Sequence, residues 1–328
     1  MDGVLTTFDE FLDHMKKHMT DLHSEVIIND RLYSPEDYPK LKSVVVESAS
    51  QMERNISKLH LFYSSMTTEA LIPLMRDIET VFITVVQSAR LFMSCGLTEA
   101  AKKEVMTGIE IVYESIINLI EHCKECYVAK VRSLSPSMTG AVWDACKKLN
   151  GLSDSNKKAC MKEVLRSVSV TRDIRKECEE FLENGDEDDW DGLLDDDDEG
   201  LEGEEVVESG RSEQVQMELQ NSIASLQHLL EAVFKLYSTS FPEDLSSEMV
   251  DQVNRVSEII SQLCKDADNL GMMIYGSEKN DVEVVKQTGT DLANLLKALE
   301  EVVGKNQLQI VEEAKANCMK CLDAIESV

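Results

Sequence analysis

Residues 99–131 read EAAKKEVMTGIEIVYESIINLIEHCKECYVAKV, and their apolar members decide the fold class. Val105, Ile109, Val112, Ile116, Leu119, Cys123 and Tyr127 recur at steps of three and four, the spacing that brings side chains onto one face of an α-helix. Charged and small residues fill most of the other positions, so the segment buries one stripe and wets the rest. Just before it, Cys95-Gly96-Leu97-Thr98-Glu99 supplies a glycine stop for one helix and a threonine cap for the next.

The same pattern continues in both directions. Upstream, residues 4–28 carry Leu5, Phe8, Leu12, Met15, Met19, Leu22 and Val26 on one stripe, and a turn with Pro35 and Pro39 follows. Residues 38–63 then align Leu41, Val45, Ala49, Met52, Ile56, Leu59 and Tyr63. A third helix starts near Pro73, where a missing N–H is tolerated, and continues to about Met93. Downstream, Pro136 ends the quoted region, and helices are expected over 138–149 and 153–182, the second opening on a Ser or Asp cap before Lys157. Beyond an acidic stretch, Leu219, Ile223, Leu226, Leu230, Val233 and Tyr237 form one more stripe before Pro242. Helices over 246–274, 282–303 and 307–325 complete the series.

Nothing shows the alternation of half-buried strands, and aromatics are only 5% of the 328 residues with 5 prolines, a balance that suits long helices. The expectation is an all-α protein of two antiparallel helix bundles: an N-terminal bundle over 1–183, an acidic disordered linker over 184–210, and a C-terminal four-helix bundle over 211–328.

Charge narrows the function classes. The formal net charge is −29, a field that repels phosphate backbones and anionic lipid, so neither direct nucleic-acid binding nor membrane association is expected. From 177 to 210 there are 18 acidic residues and no Lys or Arg, leaving 44 acidic against 33 basic residues elsewhere. The longest run without Asp, Glu, Lys or Arg is the 12 residues 219–230, against about 20 needed to span a bilayer. Met1-Asp2-Gly3-Val4 lacks the basic start of a signal peptide, and nine scattered cysteines suit reduced thiols, so an intracellular protein is expected.

No catalytic constellation is complete. Cys123-Lys124-Glu125-Cys126, preceded by His122, and Cys318-Met319-Lys320-Cys321 have zinc spacing, yet Cys123, Cys318 and Cys321 fall on apolar stripes, where free cysteine packs as a small hydrophobe. Core packing is therefore the reading, and no metal or cofactor is assigned. His14 and His18 share a helix face, but Met15 stands where a zinc peptidase needs its glutamate. Gly271-Met272-Met273-Ile274-Tyr275-Gly276 continues with Ser277 and Glu278 rather than the Lys and Ser or Thr of a phosphate loop. The reading is a binding protein, not an enzyme.

The acidic run, Asp186-Glu187-Asp188-Asp189-Trp190-Asp191-Gly192-Leu193-Leu194-Asp195-Asp196-Asp197-Asp198-Glu199, has too little apolar surface to repay ordering. Trp190, Leu193 and Leu194 are its exceptions: on a helical turn they share one face and form a candidate partner-binding knot. The other reading of the knot is that it docks on its own bundle or merely interrupts a solvated tail, since Gly192 weakens a helix.

Between 140 and 200 the sequence resembles the cyclin-D-binding protein family, the Grap- and cyclin-D-interacting proteins. The residues that carry it are Val142-Trp143 with Ala145-Cys146, Asn156-Lys157-Lys158-Ala159, Arg172-Asp173 leading into Glu177, Glu179 and Glu180, and Gly192-Leu193-Leu194 entering the acidic run. The sequence departs from the family pattern at Ser155 before Asn156-Lys157 and at Trp190-Asp191 before Gly192. The resemblance implies bundles like those of vinculin and α-catenin and a non-enzymatic regulator, in cytoplasm and nucleus. Its implied partners are D-type cyclins and helix-loop-helix factors, and its implied effect is to restrain the cell cycle. A vinculin-like cytoskeletal or junctional adaptor is the alternative.

Overall fold

In the computed structural model of the protein the described residues are 2–24, 38–65, 67–184, 213–241, 245, 247–275, 281–303, 316, 319, 320 and 323. Among them the regular structure is entirely helical, as the three- and four-residue spacing requires. The helices are α1 (Asp2–His23), α2 (Tyr38–Phe62), α3 (Thr68–Met93), α4 (Glu99–Val128), α5 (Pro136–Asn150), α6 (Asn156–Asn184), α7 (Glu213–Ser240), α8 (Ser247–Ile274) and α9 (Asp281–Val303). A single 3-10 turn, Tyr63–Ser65, follows α2. The acidic run and nearly all of 307–325 lie outside the described residues.

By proximity of Cα atoms the chain forms two compact units, Met1–Cys160 with Pro242–Val250 and Met161–Phe241 with Asp251–Val328. This division falls inside α6, and the described residues flanking the acidic run, 161–184 and 213–241, both belong to the second unit. The stripe of α6 explains its allegiance: Val164, Val168, Thr171 and Cys178 are buried. Thr171 meets Cys264 of α8, and Phe181 stacks edge-on against Tyr275 at 4.6 Å.

In the first unit α1 to α5 pack as an antiparallel bundle. Asp9 reaches Lys124 while His23 reaches Glu110, so α1 runs against α4. His60 meets Thr139 near one end of α2 and Tyr38 meets the Ser153 carbonyl beyond the other, so α2 runs against the chain of α5. The stripe residues of the quoted segment, Val105, Ile109, Val112, Ile116, Leu119 and Cys123, are all at most 1% exposed. Gly108 lets α5 come close: a Cβ there would sit 2.8 Å from Leu149 Cδ2.

One end of this bundle is closed by buried polar groups. Thr98 caps α4 through its side chain, which accepts from the Ala101 N–H at 3.3 Å. The Asn156 side chain accepts from the Thr98 N–H at 2.9 Å and donates to the Gly96 carbonyl, Gly96 taking φ 69 to end the turn after α3. Glu104 accepts the Ser153 N–H at 3.1 Å. Each of these satisfies a backbone group that burial would otherwise leave bare, and the Asn156 and Glu104 bonds also tie helix residues to neighbouring loops.

Pro73 lies inside α3, which begins at Thr68 rather than at the proline; Ala70 and Leu71 donate to the Thr67 carbonyl and carry the first turn. Pro136 does not only end α4's region: it is the first residue of α5, where its missing N–H is no loss.

In the second unit α6, α7, α8 and α9 contribute the core, with Leu219, Ile223, Leu230, Val233, Val253, Leu270, Leu292 and Leu295 at most 1% exposed. Gly271 stands where α8 approaches α6, 3.0 Å from Ile174 Cγ2 if it carried a Cβ. Two carboxyls, Asp266 of α8 and Asp291 of α9, are 2% and 8% exposed.

Candidate partner-binding site

The other end of the first bundle is built differently. Its α4 continues to Val128 and is ended by a pair of backbone bonds, Val131 N–H to Cys126 carbonyl at 2.8 Å and Lys130 N–H to Tyr127 carbonyl at 3.3 Å. This is the helix stop in which one residue turns left-handed, a place usually given to glycine. Here it is Lys130, at φ 57, the single described non-glycine residue with positive φ. A Cβ in that region is strained by roughly 1–2 kcal/mol, so the surrounding bonds hold Lys130 there against its preference.

The turn opens a cleft of about 460 Å³. The 3-10 turn supplies Tyr63, Ser64 and Ser65, the start of α3 supplies Thr67 and Leu71, and the end of α4 supplies Cys126, Tyr127, Lys130, Val131 and Arg132. Tyr63 is fixed by donating its hydroxyl to the Cys123 carbonyl at 2.8 Å, and burial and the neighbouring thiols push its pKa above the ordinary tyrosine value. Leu71 is buried and serves as floor. Around the same helix ends Leu61 is 69% exposed, Phe62 55%, Val128 63% and Val131 46%. Leu61 and Phe62 close α2, Val128 closes α4 and Val131 follows it, so large apolar side chains meet water at the ends of both helices.

The sequence motifs fall as follows. Cys123 is fully buried, and its thiol is pushed up to about 12 by burial, with Cys126 adding to the rise. Cys126 lies 3.5 Å from His122 Nε2, which also accepts the Ser135 N–H at 3.2 Å. The pair is part of the packing between α4 and the start of α5, and among the described residues no group of three His, Cys, Asp or Glu is arranged to hold a metal ion. Cys318 and Cys321 lie outside the described residues. His14 and His18 both turn to Glu79 of α3, at 2.9 and 3.7 Å. Trp190, Leu193 and Leu194 lie outside the described residues. Among the described residues no helix is long and apolar enough to cross a membrane.

The cleft itself is missing from the sequence reading. Its one signal there is Phe62, which lies off the stripe of α2 and has no internal place to go.

Residues 44–184 match the family model described as Grap2 and cyclin-D-interacting, N-terminal. No curated protein matches the chain. The matched span runs from α2 to the end of α6, takes in the residues from Val142 to Glu180 that carry the resemblance but stops short of Gly192-Leu193-Leu194, and contains the residues lining the cleft. Trp143 within it is 37% exposed on α5 while Val142 and Cys146 are fully buried, so the motif residues divide between core and surface. Over residues 44–184, rather less than half of its length, the chain is similar to the Grap2 and cyclin-D-interacting protein family.

Proposed function

We propose that the protein is a non-enzymatic regulator that works by binding other proteins, D-type cyclins and helix-loop-helix factors in the first place. On this reading it restrains progression through the cell cycle and acts in both cytoplasm and nucleus. The observation that carries the reading is the family match over 44–184. Support comes from the open end of the first bundle, where exposed Leu61, Phe62, Val128 and Val131 offer apolar surface for a partner. The acidic run between α6 and α7 is a second contact element on this proposal, with Trp190, Leu193 and Leu194 as its anchors.

The test is capture of purified D-type cyclin by the full chain, compared with Trp190→Ala and Leu194→Ala. Capture by the wild-type chain supports the regulator reading, and its complete absence defeats it. Loss of capture in the variants assigns the knot to the interface; unchanged capture removes the knot and leaves the first bundle.

A further inference from the structure

We infer that the cleft between the 3-10 turn and the end of α4 is a docking site for an acidic, amphipathic segment of a partner protein, held by Lys130 and Arg132 over an apolar floor. The inference rests on reading the chain as a protein-binding module and adds the place and the chemistry of the contact.

The chain carries 62 acidic against 33 basic residues, so most of its surface repels an acidic partner. Neither Lys130 nor Arg132 makes an ion pair among the described residues, whereas Lys124, near the end of α4, is taken by Asp9 at 2.6 Å. Two cations without an ion pair among the described residues thus bracket exposed Val131 at the lip of the cleft, the charge an acidic partner would meet.

The lining of the cleft is mixed. Leu71, Val131, Tyr63 and Tyr127 give an apolar interior, while Ser64, Ser65 and Thr67 give hydroxyls along one side. About 460 Å³ suits a few side chains of a peptide, and the mixture suits apolar anchors flanked by carboxylates.

Lys130 is strained. A glycine would serve the helix stop better, so stability does not explain a lysine at φ 57. What the lysine adds is a charged side chain beside the cleft, set by a backbone that the Val131 to Cys126 bond holds in place.

The experiment uses the full chain and two labelled synthetic 16-residue helical peptides, both with leucines at i, i+3, i+4 and i+7, one flanked by glutamates and the other by lysines. Fluorescence anisotropy should show binding of the glutamate peptide, at least tenfold weaker binding of the lysine peptide, and weakening with added salt. Lys130→Gly with Arg132→Ala should weaken the glutamate peptide about tenfold, as loss of two exposed charge contacts predicts. Lys130→Gly alone should leave the thermal midpoint unchanged or raised, which separates lost recognition from lost folding. Equal binding of both peptides, or a double variant that binds as the wild type does, overturns the proposal. So does binding of phosphatidylserine vesicles that is lost in the double variant, since it would make the cations a lipid contact. The cyclin capture described above judges the regulator reading separately: its failure with the peptide result intact defeats that reading and not the cleft.

Discussion

Replacing Asp266 by Asn should stabilise the second unit at neutral pH, and by an amount that grows as pH rises. Asp266 of α8 is 2% exposed; one of its oxygens accepts from Gln262 Nε2 at 3.0 Å, and the other, Oδ2, meets no donor among the described residues. Asp291 faces it from α9 and is itself held by Gln287 at 2.9 Å, and Lys265 is the nearby cation. Burial, with the Asp291 carboxyl opposite, pushes Asp266 up to about 6 from 3.8. The folded value lies above the unfolded one, so the unfolded chain binds fewer protons between these pH values. The benefit of the protonated folded form is therefore full below about pH 4 and is lost as pH rises through 6. An Asn keeps the shape, loses the charge and offers its amide to Asp291, so its advantage should be about 0.6 kcal/mol at pH 4 and about 3 kcal/mol at pH 7.5. Urea unfolding followed at 222 nm should place the two midpoints close together at pH 4 and roughly 1–3 M apart at pH 7.5. A constant difference across this range, or a variant less stable at pH 7.5, would refute the account of two carboxyls facing each other in a dry interface.

Three further outcomes are expected. Gly108→Val forces methyls into the 2.8 Å approach to Leu149 and should lower the stability of the first unit by about 1–3 kcal/mol in the same urea experiment; an unchanged midpoint would mean α5 can move away freely. Asn156→Ala removes the acceptor of the Thr98 N–H and the donor to the Gly96 carbonyl, and should cost about 1–3 kcal/mol without weakening the glutamate peptide at the other end. Cys123, buried with its thiol at about 12, should resist Ellman's reagent at pH 8 in the native protein and react on unfolding; rapid native labelling of Cys123, located by peptide mapping, would contradict its place in the core.

The helices were legible because their signal is periodic and long. Val105 through Cys123 lie on one stripe in the sequence and are all buried in the structure. What the stripe does not say is which helix covers it. Val164, Val168 and Cys178 of α6 announce a buried face, yet only the approach of α8 at Gly271, Cys264 and Tyr275 shows that this face belongs to the second unit. The glycine at 271, read against a phosphate loop for its spacing, is explained by that close approach to Ile174. The cleft was illegible for a related reason. It is assembled from the ends of α2, α3 and α4, where boundaries depend on caps, and the residue that turns the chain is a lysine in a conformation lysine does not favour.

The two ends of the first bundle also differ in what they spend their polar groups on. At the Thr98 end Asn156 bonds Thr98 and Glu104 bonds Ser153, and both satisfy backbone N–H groups, so substitution there should be felt as stability. At the Lys130 end the backbone closes itself through the Val131 to Cys126 and Lys130 to Tyr127 bonds, and the side chains of Lys130, Val131 and Arg132 are left exposed. A helix stop that satisfies its own carbonyls frees its side chains from structural duty. Large apolar side chains are exposed here as well, Leu61 and Phe62 at the end of α2 and Val128 and Val131 at the end of α4, with Lys130 and Arg132 on either side of Val131. That asymmetry, with folding tied at one end and exposed apolar surface at the other, is why recognition is assigned to the α4 end and not spread over the bundle's flanks.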